Sequence, residues 1–226
     1  VYKRQILILL VIFSIGVFIA TQMIDTAQNK KTLEIFNPCK VNPVLVDSSI
    51  RRKCIGHKIG NFSFINQDSI TITQSFIENK IAVVDFFYAS CPSICPVMTS
   101  QIKRIHDYDF GPLNDQVVLL SHTVWPEIDS VSVLNEYANR YGADSKRWSF
   151  LTGDKQKLYN MARKKYLVVP DINDVNFNHG GEADFIHTEN VVLIDRKSRI
   201  RGYYDGTSPS EISQLIEDIK WLLYPS

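Results

Sequence analysis

The residues with the clearest capacity for chemistry are Cys91 and Cys95, four positions apart in the stretch DFFYASCPSICPVM that runs from Asp85 to Met98. An apolar run of strand length, Ile81 to Tyr88, leads into them, and helix-period apolar positions follow from Ile94 to His106. The pair therefore stands where a buried strand turns into a helix. Residues i and i+4 share a helix face, and the free N–H groups and partial positive charge of a helix N-terminus favour thiolates. Two such sulfurs, stiffened by Pro92 and Pro96, suit either a reversible disulfide or a soft metal ion. A lone buried cysteine is usually a small hydrophobe, but pairing, spacing and position together argue for chemistry here. Redox motifs of the thioredoxin type place two residues between their cysteines; this chain has three, Pro92, Ser93 and Ile94, a looser bite that admits a metal.

A metal held by two thiolates needs a further ligand. Thiolates select Cu(I), zinc or iron–sulfur chemistry, and two thiolates with one imidazole make a site that copper occupies in either redox state. The chain has five histidines. His57 lies in an irregular stretch, His106 at a helix end and His179 in a loop before Gly180 and Gly181, each read as a solvated or locally bonded residue. His122 follows a buried strand and is a weaker candidate for the edge of the site. His187 stands out because it immediately precedes the strand Glu189 to Asp195, from which a loop can face the cysteine turn. Asp129 and Asp184 are candidate carboxylates for orienting that imidazole.

The elements that must position these groups are legible as a pattern. Phe62 and Phe64 alternate on one side of Asn66 to Ser69, and Ile70 and Ile72 on the other, which predicts a hairpin. Val117 to Ser121 is a second buried strand and Trp148 to Leu151 a short third. Helices are expected over Val131 to Tyr141 and Lys155 to Tyr166, and a late hairpin over Val191 to Asp195 and Ile200 to Tyr204. The final helix is the best marked: Ser208 caps it, Pro209 takes its first position, Glu211 completes a capping box, and Ile212, Leu215, Ile216, Ile219, Leu222 and Leu223 form its stripe. Strands alternating with helices and closing on a hairpin plus helix describe an α/β domain with a mixed sheet.

Composition narrows the function. With 226 residues, 25 basic against 24 acidic side chains and a net charge of +1, the chain has no electrostatic footprint for nucleic acid. Its 45% hydrophobic and 22% charged residues exclude disorder, collagen and coiled coil as the main architecture. Triads, phosphate loops and H-E-x-x-H patterns are absent, which leaves hydrolase and nucleotide chemistry no foothold. Residues 1–5 are a candidate artefactual start, since they spell the translation of a common sequencing adapter. Residues 6–24 read as a single membrane anchor in preference to a cleaved signal, because no clean A-x-A site follows. Lys3 and Arg4 fall within the doubtful start, so the charge rule for orientation carries little weight. Residues 25–58 are a tether and irregular lead-in, and 59–226 the folded domain. If that domain lies outside the cytoplasm, Cys39 and Cys54 in the lead-in form a structural disulfide, closing a loop worth about 3 kcal/mol. Two free thiols relaying copper or electrons are the weaker alternative.

Three segments together resemble the Sco/SenC proteins: CPSICP after a buried strand, PEID after the next one, and DFIHTENVVLIDRKSRIRGYYDG near the C-terminus. The resemblance runs from about Gly60 to Leu223. It implies a thioredoxin-like three-layer fold behind one N-terminal transmembrane helix, with the soluble domain on the extracytoplasmic (periplasmic) side. It also implies a copper metallochaperone that loads the dinuclear copper site of cytochrome c oxidase, with Cys91, Cys95 and His187 as the copper ligands. The expected partners are the copper-bearing oxidase subunit and a thioredoxin-like reductant, and the cargo is Cu(I), with Cu(II) a second state. Where the family motif carries D-P-x-x-D, this chain has Trp125, Pro126 and Asp129, so tryptophan replaces the first aspartate. Thioredoxins place a cis-proline where Ile186-His187-Thr188 stands, and a ligand in that place favours metal binding over general disulfide exchange. The rival reading is a thiol–disulfide oxidoreductase using Cys91 and Cys95 on exported or oxidase-subunit cysteines, with a peroxidase third.

Overall fold

A computed structural model describes Tyr2, Gln5 and residues 12–18, 32–168 and 188–225. Residues 1–33 and 34–226 are separate compact units. In the first, residues 12–18 are helical with exposed side chains. Among the described residues no helix is long and apolar enough to cross a membrane. Most of the expected anchor, residues 6–24, lies outside the described residues.

The second unit is built on seven strands: β1 (Ser63–Asn66), β2 (Thr71–Thr73), β3 (Ile81–Phe87), β4 (Val117–Thr123), β5 (Trp148–Thr152), β6 (Asn190–Ile194) and β7 (Ile200–Asp205). They lie in the order β2-β1-β5-β4-β3-β6-β7. β3, β4 and β5 are mutually parallel, while β1, β2, β6 and β7 attach antiparallel, which gives the mixed sheet. All seven residues of β3 and of β4 are buried, as strands between two neighbours and two covered faces must be, including the polar Asp85, Ser121, His122 and Thr123.

Alternation along β3 divides the core. Ala82, Val84 and Phe86 pack toward one face with Leu158, Met161 and Tyr166, with Val46 of the lead-in and with Ile59 just after it. Phe87 faces the other way, its ring 5.1 Å from Tyr137 and 5.1 Å from Phe150. That second face is covered by α1 (Ile94–Asp107), α2 (Val131–Tyr141) and α4 (Pro209–Leu223). On the first face α3 (Lys155–Asn160) continues as one wider π-helical turn, Met161–Tyr166, where the pattern predicts an unbroken α-helix.

The helix ends follow their sequence signals. Ser130 and Asp154 side chains accept from the Val133 and Lys157 N–H groups, and Gly142 closes α2 in the left-handed conformation at φ +68°. Ser208 Oγ accepts from Glu211 N at 3.4 Å, but Glu211 Oε2 accepts from Asp205 N at 2.6 Å instead of returning to Ser208. The expected capping box is thus half made, and its second arm ties the helix to the end of β7.

The lead-in is irregular yet packed. Phe36 bridges to Ile200, Asn37 Oδ1 accepts from His57 N at 3.1 Å, and Ile59 N donates to Ser198 O at 3.0 Å. Cys39 and Cys54 form a disulfide with Cα atoms 5.1 Å apart, closing this segment. On the chain-entropy estimate the closure contributes about 3 kcal/mol.

His122 is fully buried on β4, between Phe64, Phe86 and Tyr166, with ring centroids 5.4 to 5.5 Å away. Burial drives its pKa from 6.5 down to about 3, so it is neutral when folded. The unfolded chain therefore takes up a proton that the folded chain refuses, and the stabilisation is complete above pH 6.5 and lost as pH falls toward 3. Asp85, pushed up to about 7 by burial, works in the opposite direction, gaining stability as pH falls below 7. Urea unfolding of the wild type and His122→Phe separates the two. The wild type's unfolding free energy minus that of the variant should fall on acidification by about 1.4 kcal/mol per pH unit below pH ~6. A difference independent of pH would contradict this account.

Candidate metal and redox centre

The centre lies at the C-terminal ends of the parallel strands. β3 ends at Phe87, the chain turns through Tyr88 to Ser93, and α1 begins at Ile94. Cys91 thus sits in the turn, outside the helix, and Cys95 in its first turn. Both are free thiols, 7% and 5% exposed. The Cys91 N–H donates to Tyr88 O at 3.2 Å, closing the turn, and Cys95 N–H donates to Cys91 Sγ at 3.5 Å.

The two sulfurs are not equivalent, which corrects the expectation of two depressed pKa values. Burial opposes ionisation of Cys91, but the backbone N–H groups of Cys95 and Ser93, the Cys95 thiol and the Tyr88 hydroxyl outweigh it and bring the pKa down to about 7. Burial pushes Cys95 up to about 12, against a backbone contact with Tyr88, and the negative charges of Cys91 and Asp85 add to the rise. One sulfur faces the helix N-terminus, where the orphan donors are; the other lies within the helix and packs into the core.

Two buried carboxylates frame this turn. Asp129, 1% exposed, accepts from Ala89 N at 3.2 and 3.3 Å and from the Thr123 hydroxyl. Thr123 Oγ1 in turn accepts from Trp125 N at 2.9 Å. Asp129 therefore pins the loop after β4 to the loop after β3, two residues before Cys91. Burial raises its pKa, and the Thr123 and Ala89 donors oppose the rise. Asp85, on β3, accepts from Ser121 Oγ at 2.6 Å, and Ser121 Oγ accepts from Trp148 Nε1 at 2.9 Å. Trp125, in place of the family aspartate, meets Tyr88 edge-on at 6.0 Å and carries no charge to the rim.

The three described histidines each have a place away from the cysteines. His122 belongs to the aromatic core on the other sheet face from α1, so it does not edge the site. His57 Nε2 pairs with Lys165 O at 2.8 Å, and His106 Nδ1 with Asp107 Oδ1 at 3.1 Å. His179, Asp184 and His187 lie outside the described residues. Among the described residues no three His, Cys, Asp or Glu side chains gather as a metal cluster. The pattern did not single out Tyr88, whose hydroxyl meets Cys91, or Asp85. The signal for Asp85 was available, as the one carboxylate inside IAVVDFFY; nothing marked Tyr88.

Residues 54–224 match the SCO1/SenC family model. The chain belongs to the SCO1/SenC family. The SCO1 protein homolog of Bacillus subtilis is 24% identical over 166 residues, covering 74% of this chain and 83% of that relative. Among solved structures, BsSco is similar with a TM-score of 0.60 and 22% identity over 77% of this chain and 98% of that one; it is described as a Sco-family cytochrome c oxidase assembly protein with a disulfide switch. Bradyrhizobium japonicum ScoI, solved with copper bound, gives a TM-score of 0.56 and 22% identity over 74% and 99%. These likenesses support the thioredoxin-like α/β fold with its mixed sheet.

The asymmetry of the cysteines is directly measurable. Iodoacetamide should modify Cys91 at a rate that rises through a midpoint near pH 7, because the thiolate is the nucleophile. Cys95 should stay largely unmodified to about pH 9, and Tyr88→Phe should move the Cys91 midpoint upward. Peptide mapping that finds equal rates at both cysteines would contradict the assignment.

Proposed function

We propose that this protein is a copper metallochaperone whose cargo is held by Cys91, Cys95 and His187. The observation that carries the proposal is the pair of free, buried sulfurs at one strand-to-helix turn, bridged by the Cys95 N–H to Cys91 Sγ contact. Soft thiolates suit Cu(I), and an imidazole as third donor allows Cu(II) as well. On binding Cu(I), Cys91 enters as a thiolate and Cys95 gives up its proton, since a coordinated thiol is deprotonated outright.

Sheet register supports His187 as the third donor. β6 pairs antiparallel with β3, with Val192 opposite Val84. Continuing that register sets Thr188 level with Tyr88, at the end of the sheet that bears the cysteine turn. A Cβ on Gly206 would lie 2.8 Å from Val191 and 2.9 Å from Met98 Cε, so the start of β6 packs against α1 one turn beyond Cys95.

Loading is gated by redox state. Oxidation of Cys91 and Cys95 to a disulfide removes two electrons and two protons and leaves no thiolate for the metal. Reopening requires two electrons from an external dithiol, a thioredoxin-like reductant, by exchange through a mixed disulfide. Copper then passes by ligand exchange to the copper-bearing subunit of cytochrome c oxidase, with residues 6–24 holding the domain at the extracytoplasmic face of the membrane.

One observation favours a second reading. A sulfur near pKa 7 beside one near 12 is also the arrangement of an attacking and a resolving thiol. Anaerobic Cu(I) loading of the reduced protein distinguishes the two. One tightly held copper is expected, with Cys91→Ser, Cys95→Ser and His187→Ala each weakening it by at least about tenfold. If the reduced protein loses copper to a modest chelator while turning over disulfides, and His187→Ala leaves that turnover intact, the oxidoreductase reading replaces the chaperone.

A further inference from the structure

A second cleft lies on the sheet face covered by α3, away from both cysteines. Its floor is Phe62, Phe64 and Met161, all buried, and its mouth carries Lys157, Lys164 and Lys165. Among the described residues no carboxylate lines it. Lys164 meets Asp47 at 3.4 Å, and neither Lys157 nor Lys165 has a carboxylate partner among the described residues. The cleft is held open by its backbone. His57 Nε2 pairs with the Lys165 carbonyl at 2.8 Å, and Gly60, at φ +72°, leaves room for the Lys165 ammonium, which a Cβ there would approach to 3.2 Å. Phe62 and Phe64 stack with centroids 6.0 Å apart, making a continuous apolar floor under the cations.

The volume is about 230 Å³, below the range of cofactor or drug-sized pockets and suited to one branched or aromatic side chain. A larger polar cavity of about 440 Å³ adjoins it, sharing Asn61 and Phe62. Thr73, Gln74, Ser75 and Glu78 line that second cavity, which offers hydroxyl and amide groups and one carboxylate to the N–H and C=O groups of a peptide backbone. An apolar socket with three lysines along its α3 side, continued by a polar trough, matches a carboxylate attached to an apolar group with a polar chain behind it.

We infer that this cleft binds the carboxyl-terminal residue of an extended peptide, with its apolar side chain on Phe62, Phe64 and Met161 and its carboxylate among the three lysines. The preceding residues lie along Asn61, Thr73, Gln74 and Ser75. The inference does not depend on copper binding, because no residue of the cleft belongs to the cysteine centre.

The test uses the ¹⁵N-labelled full chain in detergent, titrated with acetyl-Ser-Ala-Leu bearing a free carboxylate, with its carboxamide, and with acetyl-leucine. The tripeptide acid should shift the amide signals of Asn61, Ser63 and Lys165 with a dissociation constant of roughly millimolar or tighter. The carboxamide should bind about tenfold or more weakly, and Lys165→Gln and Lys157→Gln should each weaken the acid several-fold without disturbing the remaining spectrum. Equal affinity for acid and carboxamide, shifts confined to other residues, or no shift at ~10 mM ligand would overturn the inference. Equal affinity for acetyl-leucine and the tripeptide would overturn its peptide part and assign the cleft to small apolar acids.

Discussion

The cysteine centre depends on one contact, the backbone N–H of Cys95 directed at Cys91 Sγ. It exists because β3 ends one short turn before a helix, so that the first free N–H groups of α1 point back at the preceding residues. That geometry makes one sulfur an acceptor and leaves the other inside the helix. The difference in ionisation follows from position alone, since the side chains are identical. Everything around the turn serves to hold it: the Tyr88 carbonyl accepts from Cys91 N, and Asp129 reaches across from the β4 loop to Ala89 N.

The rest of the fold can be understood as what makes that turn rigid. The seven-strand sheet buries β3 and β4 on both sides, so their C-terminal ends are fixed relative to each other. A buried carboxylate such as Asp129 is costly unless its oxygens are satisfied, and the Thr123 hydroxyl and Ala89 N–H supply donors. The cost is tolerated because the same bonds lock two loops together. Asp85 is satisfied through Ser121, itself held by the Trp148 indole, and its pKa near 7 leaves it poised between charge states beneath the helix that carries Cys95.

Most of the fold was legible in the sequence because its signals are local. The continuous apolar run of β3, the Asn66 to Ser69 turn and the Ser208-Pro209 start of α4 each specify their element without reference to the rest of the chain. Less legible were features set by tertiary contact. The π-helical turn at Met161–Tyr166 has no marker in its residue types, and Glu211 completes a bond to Asp205 where the motif alone points to Ser208. The cysteine pair was visible, but its inequality was not. Spacing says that residues 91 and 95 share a face, whereas their pKa values depend on where the helix actually begins. His122 shows the same limit, since a histidine at a strand end reads as a potential ligand until its aromatic neighbours are known.

The most direct test of the central claim is X-ray absorption at the copper edge of the reduced, Cu(I)-loaded protein, compared with His187→Ala. The account predicts two sulfur donors and one nitrogen donor, with the nitrogen alone lost in the variant. A site with sulfur donors only, unchanged by the substitution, would contradict it.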